Sequence, residues 1–337
     1  MLSVREIESI ATTILAQSQG PAIAVRLLRD VLRVPVSDNE LSAAKIELNK
    51  SNYVAELASE QHPDGGWGRF HTMNYSLKRK FGTTEVAVSR AVALGLDKSH
   101  PILAKAAEYL ARILRDESTF PDPPESNDRW ATGEKLFTAG TLSLFDPDNP
   151  TLGETRKLWI EIANRACVGG VFDPNAERNA HKALTGATVY FRDGRETYLV
   201  LNSRYHAAIL TAKPRLLNRR TEKTLLEWLW RRHDGLGYLN VPIENPPFSK
   251  PGAMDRWFTS HELLSGFTYW PEFSRDVIEI LSLQRGEDGL WDFGPSPRGA
   301  GVHYFPLIEN TRRKGARALD WSARTLILLY KHLSIKE

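Results

Sequence analysis

Apolar residues recur at helical spacing from the start of the chain. Val4, Ile7, Ile10, Ile14 and Leu15 share one face of a helix predicted over residues 3–19. Gly20-Pro21 ends that run, and Pro21 suits the first turn of a second helix over 21–33. Ser37-Asp38-Asn39-Glu40 reads as a cap, with helix following to about residue 60. The same periodicity predicts helices at 83–94, 101–114, 130–145, 152–167, 201–211, 221–232, 257–267, 273–284 and 319–333. Polar loops separate them at 116–128 and 169–180. The stretch 186–200 departs from the pattern: Thr188, Val189, Tyr190 and Phe191 precede a turn at Arg192-Asp193-Gly194, as in a short hairpin.

Two of the inter-helix loops repeat one motif. Gln61-His62-Pro63-Asp64-Gly65-Gly66-Trp67-Gly68 reads Q-x3-G-x-W, and Gln284-Arg285-Gly286-Glu287-Asp288-Gly289-Leu290-Trp291 reads Q-x4-G-x-W. A third loop, His233-Asp234-Gly235-Leu236-Gly237-Tyr238, lacks the Gln and places Tyr238 near the Trp position. Asp234 and Asp288 lie 54 positions apart, and Asp64 and Asp234 lie 170 apart, or three steps of about 57. Steps of that length predict loops near 120 and 177, where loops are already expected. The unit is two helices and a loop, repeated five or six times. No helix pair buries its apolar face alone, so the pairs must stack. Asp and Gly make the turn, and the Trp packs on adjoining helix ends while its N–H finds a carbonyl.

The bulk numbers narrow the class. The chain has 337 residues, enough for one large domain, and no composition break marks a linker, so a single domain over 1–337 is expected. Charged residues are 25 % and net charge is +3, too mild to argue for nucleic acid. The one cysteine, Cys167, excludes an intrachain disulfide and a multi-cysteine zinc site. The start carries Glu6 and Glu8 without a long apolar run, and no stretch approaches the ~18 apolar residues of a spanning helix. A cytoplasmic protein without a transmembrane segment is expected. Nine tryptophans are the one surplus, suited either to a core or to a pocket wall. No H-x3-H or H-E-x-x-H pattern occurs, so no metal or other cofactor is expected.

The paired Q-x(3–4)-G-x-W loops resemble those of the terpenoid cyclase and protein prenyltransferase superfamily. The resemblance implies an all-α fold, an α/α toroid of about five to six helix pairs around a central cavity. It does not bring the superfamily's catalytic signatures. Asp146-Pro147-Asp148-Asn149 lacks the third carboxylate of a D-x-D-D motif, no D-D-x-x-D is present, and Arg165 stands where a D-x-C zinc pair at Cys167 would need Asp.

Such a toroid gathers the starts of its inner helices at one end. That would collect Thr83-Thr84-Glu85, Thr132-Gly133-Glu134-Lys135, Asn202-Ser203-Arg204-Tyr205-His206, Thr259-Ser260-His261-Glu262 and Ala318-Leu319-Asp320-Trp321. Ser, Thr and acidic residues there also serve simply as caps. Glu85, His206, His261, Glu262 and Asp320 are the proton-handling candidates, because imidazole and carboxyl groups transfer protons near neutral pH. Asp320 also has Arg317 and Arg324 at helical spacing as ion-pair partners. Lys78, Arg79, Lys80 and Arg204 are candidates for holding an anionic group, and Arg312-Arg313-Lys314 is a second basic run. Tyr205, Trp257, Tyr269, Trp270 and Trp321 are candidate wall residues, whose faces stabilise cationic intermediates.

Three functions follow. The first is a protein resembling isoprenoid cyclases or transferases, acting on an isoprenoid or other apolar small molecule. The second is a glycoside hydrolase or polysaccharide lyase on the same architecture, with Arg204, Tyr205 and His206 as neutraliser and base. The third is a non-catalytic ligand binder or scaffold.

Overall fold

A computed structural model describes residues 2–18, 20–72, 81–295 and 306–334. Among the described residues fourteen α-helices carry the fold. They are α1 (Val4–Gln17), α2 (Pro21–Asp30), α3 (Asn39–Asn49), α4 (Asn52–Glu60), α5 (Thr84–Ala93), α6 (Pro101–Leu114), α7 (Trp130–Ser143), α8 (Gly153–Ala166), α9 (Pro174–Leu184), α10 (Arg204–Leu210), α11 (Arg219–Trp230), α12 (Pro251–Leu264), α13 (Trp270–Leu283) and α14 (Lys314–Ser334). A two-stranded antiparallel sheet joins β1 (Cys167–Val168) to β2 (Val171–Phe172), pairing Cys167 with Phe172.

Local chemistry sets the helix starts. Ser3 and Glu6 form a reciprocal capping box on α1, with the Glu6 carboxylate accepting from the Ser3 N–H at 2.7 Å. Asp38 caps α3 through the Leu41 N–H at 2.9 Å. The helix expected to run unbroken to residue 60 divides at Ser51. Its hydroxyl donates to Leu48 O at 2.6 Å and accepts from Val54 N, ending α3 and opening α4. The loop expected at 169–180 holds the β1–β2 hairpin and the first turns of α9. There Asp173 caps Asn175 N at 2.8 Å and Pro174 takes the first helical position. At 186–200 a bridge between Tyr190 and Glu196 closes the expected hairpin turn.

The two Q-x(3–4)-G-x-W loops are built alike. Trp67 Nε1 donates to Leu57 O at 3.0 Å, and Trp291 Nε1 to Leu281 O at 2.8 Å, each reaching ten residues back into the preceding helix. The backbone N–H of each Trp then bonds a hydroxyl on the helix ahead: Trp67 to Thr84 Oγ1 at 3.0 Å, Trp291 to Ser322 Oγ at 2.9 Å. Each tryptophan thus ties the end of one helix to the next helix, at the start of α5 for Trp67 and midway along α14 for Trp291. Gly65 stands at φ +101°, where an added Cβ would come within 2.4 Å of Lys105 O, so only glycine fits.

Tryptophan accounts for much of the interior. Trp67, Trp159, Trp257, Trp270, Trp291 and Trp321, six of the nine, are among the largest wholly buried side chains, which assigns the surplus chiefly to the core. In the packing, α7 touches α5, α6, α8 and α10; α10 touches α12; and α14 touches α1, α2, α12 and α13. Arg26 and Arg29 of α2 donate to the Ala93 and Gly95 carbonyls at the end of α5, at 2.7 and 2.9 Å. No helix among the described residues is long and apolar enough to cross a membrane.

Candidate functional site

The start of α5 carries a buried carboxylate, Glu85. Once Trp67 has bonded Thr84, the chain runs back along the helix start, and Thr84 N and Glu85 N donate to Arg69 O and Phe70 O at 2.8 and 3.3 Å. Asp122, from the loop after α6, then clamps this segment. Its carboxylate accepts from the backbone N–H groups of Phe70, His71 and Thr72 at 2.5, 3.0 and 2.6 Å. The result holds the His71 ring against Glu85.

The start of α10 supplies the third group. Ser203 caps this helix, and all seven of its residues are buried. The close passage of α10 over α7 requires Gly140, where a Cβ would lie 2.7 Å from Tyr205 Cβ and 2.8 Å from its Cα. Tyr205 therefore reaches across to α5. Its hydroxyl donates to Glu85 Oε2 and lies 3.0 Å from His71 Nδ1, which is itself 3.1 Å from Glu85 Oε1.

Aromatic rings enclose this triangle. Phe137 stacks on His71 at 4.8 Å, and Tyr238 meets the imidazole edge-on at 5.1 Å. Burial and the Glu85 charge hold the Tyr205 phenol well above its ordinary pKa, so it is a hydrogen-bond donor at neutral pH. Burial pulls the His71 pKa down, but the Glu85 hydrogen bond and the Glu85 and Asp122 charges outweigh it and raise the pKa overall. His71 keeps 27 % of its side chain exposed against 5 % for Glu85, which makes it the open end of the triangle.

A pocket of about 250 Å³ is lined by Ser89 and Arg204 but by none of His71, Glu85 and Tyr205. Arg204 links pocket and triangle, because it precedes Tyr205 and its Nη2 donates to Ser89 Oγ at 2.9 Å, one turn along α5 from Glu85. Arg26, Arg29, Glu262, Arg324 and Lys331 also line the pocket. Arg324 bonds Asp255 at 2.9 Å and approaches Glu262 at 3.8 Å. No tryptophan lines it among the described residues. A larger groove, of about 730 Å³, opens at the surface between α2, α3 and residues 307–316, with Arg313 on its wall.

Among the expected site residues, the structure thus brings Glu85, Arg204 and Tyr205 together, and sets Glu262 on the pocket wall. His206 and His261 lie elsewhere, wholly buried. His206 bonds Ser203 Oγ at 2.6 Å and packs on Trp159 at 4.3 Å, and burial pushes its pKa well down. His261 Nε2 lies 3.1 Å from Ile243 O against Trp257, and burial pushes its pKa down to about 4. Asp320 is fully buried and accepts from Leu307 N at 2.5 Å. Of its two expected ion-pair partners, Arg317 pairs with Asp292 at 2.7 Å and Arg324 with Asp255. Trp257, Trp270 and Trp321 are core residues with no exposed face, and Trp257 Nε1 bonds Ile243 O at 2.9 Å. Tyr269 is partly exposed and stands beside Arg219. Lys78, Arg79 and Lys80 lie outside the described residues.

Sequence reasoning missed His71 and Asp122. His71 reads as a loop histidine outside any metal spacing, and Asp122 as one acid in a polar loop. The available signal was position: His71 falls four residues after Trp67, on the segment that the loop pins to α5.

Among the described residues no group of three or more His, Cys, Asp and Glu is placed to hold a metal ion. Comparison of the chain with protein-family models, curated proteins and solved structures finds no match.

Proposed function

We propose that this chain is an enzyme of α/α-toroid architecture that performs general acid–base chemistry on a polar organic substrate. In this reading α2, α5, α7, α10, α12 and α14 form the inner ring and their sequence neighbours the outer one. The contact of α14 with both α12 and α2, and the Arg26 and Arg29 bonds from α2 to α5, support such closure. The Q-x(3–4)-G-x-W resemblance to terpenoid cyclases and prenyltransferases points the same way.

The observation that carries the chemistry is the meeting of His71, Glu85 and Tyr205 beside Arg204. Glu85 orients and charges His71, which exchanges a proton with the substrate near neutral pH. Tyr205 holds the second Glu85 oxygen with its one O–H, which leaves its phenol oxygen as an acceptor. Arg204 offers a fixed positive charge to a developing anion. This arrangement favours the lyase or hydrolase reading, with His71 in the role expected of His206. The isoprenoid reading keeps its support in the repeated loops, while the pocket wall offers cations rather than indole faces.

The test is a two-armed assay on purified protein. One arm follows new carbon–carbon double bonds and new reducing ends from uronate-containing oligosaccharides. The other follows products from geranyl and farnesyl diphosphate. Turnover in the first arm, lost in both His71→Gln and Tyr205→Phe, is the expected result. Turnover confined to the prenyl substrates, or turnover indifferent to both substitutions, overturns it.

A further inference from the structure

Lys331 differs from Arg26, Arg29 and Arg324, which share its pocket wall. Arg26 and Arg29 both hold Asp30, and Arg324 bonds Asp255 at 2.9 Å. No carboxylate among the described residues forms an ion pair with Lys331. Its Nζ donates to Ser265 Oγ at 3.1 Å, and that hydroxyl in turn donates to Glu262 O at 2.8 Å. An ammonium has three N–H donors, and the described residues take one of them. Ser265 closes α12, so the bond holds the amine at the end of that helix, on the wall of the pocket.

The surroundings disfavour the charged form of this amine. Val92, Ala93, Leu144, Leu263 and Leu307 give the pocket an apolar lining. Arg26 and Arg29 act on Lys331 from α2 as positive neighbours, and Asp30 and Glu262 as negative ones. Burial and the two arginines lower its pKa, and the two carboxylates resist that without reversing it. A lysine so placed presents more free amine at neutral pH than an exposed one, and the free amine is the nucleophile. The pocket, at about 250 Å³, lies just below the usual size of ligand sites, so it suits a small molecule. It reaches solvent, with 30 % of the Glu262 side chain exposed.

We infer that Lys331 is a reactive amine that condenses with the carbonyl group of a small aldehyde bound in this pocket. The Nζ lone pair forms a bond to the carbonyl carbon as the second C–O bond pair moves onto oxygen. The oxygen then leaves as water, taking two protons that began on the ammonium, and a protonated C=N bond remains on Lys331. Charge is conserved, and neither an oxidant nor a reductant is consumed. Glu262, on the same wall, is the carboxylate available to carry protons between nitrogen and oxygen. The apolar lining receives the rest of the aldehyde. This chemistry rests on the pocket alone and does not require the acid–base role given to His71.

The experiment is reductive trapping of the full chain with propanal and cyanoborohydride at neutral pH, read lysine by lysine through peptide mass spectrometry. Lys50 and Lys157, with 66 and 78 % of their side chains exposed, serve as ordinary amines in the same sample. Lys331 should be alkylated about tenfold faster than either, or more, as a pKa lowered by one unit would give. Its rate should saturate with propanal, as binding before reaction requires, while the rates at Lys50 and Lys157 stay linear. In Glu262→Gln, checked for an intact melting transition, the pH of half-maximal trapping at Lys331 should fall, because a negative neighbour is lost. Trapping of Lys331 no faster than that of Lys50 and Lys157, or a linear dependence on propanal at all three, overturns the site. A half-maximal pH that does not move in Glu262→Gln overturns the part given to that carboxylate.

Discussion

The hydroxyl of Tyr205 lies 3.0 Å from Nδ1 of His71, a residue 134 positions earlier in the chain. Both groups bond the same carboxylate, Glu85. Three devices bring them together: the Trp67 loop pins the start of α5, Asp122 fixes the backbone of residues 70–72, and Gly140 admits α10 against α7.

Glu85 is what keeps His71 above its ordinary pKa. Removing its charge by Glu85→Gln should therefore lower the pKa of His71, because burial then acts against the charged ring with less opposition. Titration of the His71 ring protons by NMR checks this. An unchanged midpoint would mean that Glu85 does not set the protonation of His71.

Gly140→Ala should separate α7 from α10. A Cβ there meets the Tyr205 Cα at 2.8 Å, and backbone cannot rotate away as a side chain can. The expected cost is about 1–3 kcal/mol in urea unfolding, the usual penalty for overpacking. Weakened Tyr205–Glu85 contact should accompany it. Wild-type stability in this variant would contradict the close approach.

Trp67→Phe and Trp291→Phe should cost similar amounts, because the two loops make equivalent bonds. Each loses an indole N–H bond and leaves a carbonyl, of Leu57 or Leu281, without that donor. About 1–3 kcal/mol apiece is expected from chemical denaturation. A large cost at one position and none at the other would break the equivalence.

Asp320 predicts a pH dependence of stability. Burial, only partly offset by the charges of Arg324 and Arg90, raises its pKa from 3.8 to about 6. Between those values the folded state keeps a proton that the unfolded chain has released. Stability contributed by this group is thus full at low pH and falls as pH rises through about 6. The shift corresponds to about 3 kcal/mol at neutral pH. Asp320→Asn should flatten that part of the stability–pH curve, as measured by denaturation between acid and neutral pH. A slope that persists in the variant would place its origin elsewhere.

Much of the helical fold was legible because its signals are local. Pro101–Leu114 was bounded correctly by its Pro start and its 3.6-residue periodicity. The division at Ser51 and the helix from Pro174 were missed, since both depend on whether a short side chain bonds its own backbone. Of the site, Glu85, Arg204 and Tyr205 were visible as polar starts on apolar helices, whereas Glu262, expected at such a start, lies near the end of α12 because that helix begins at Pro251. His206 and His261 carry the same signal but point into tryptophan-rich core, and sequence periodicity does not separate a polar residue facing a pocket from one buried behind it.

By itself, then, the sequence determined where most of the helices lie, the repeated Trp-anchored turns, and which residue types were available for chemistry. These follow from backbone propensity and from bonds between near neighbours. Tertiary packing alone decided that His71 rather than His206 meets Glu85 and Tyr205, and that five basic side chains far apart in the chain line one pocket. Such meetings depend on how closely one helix can pass another. At Gly140 and Tyr205 that distance is set by a single missing Cβ.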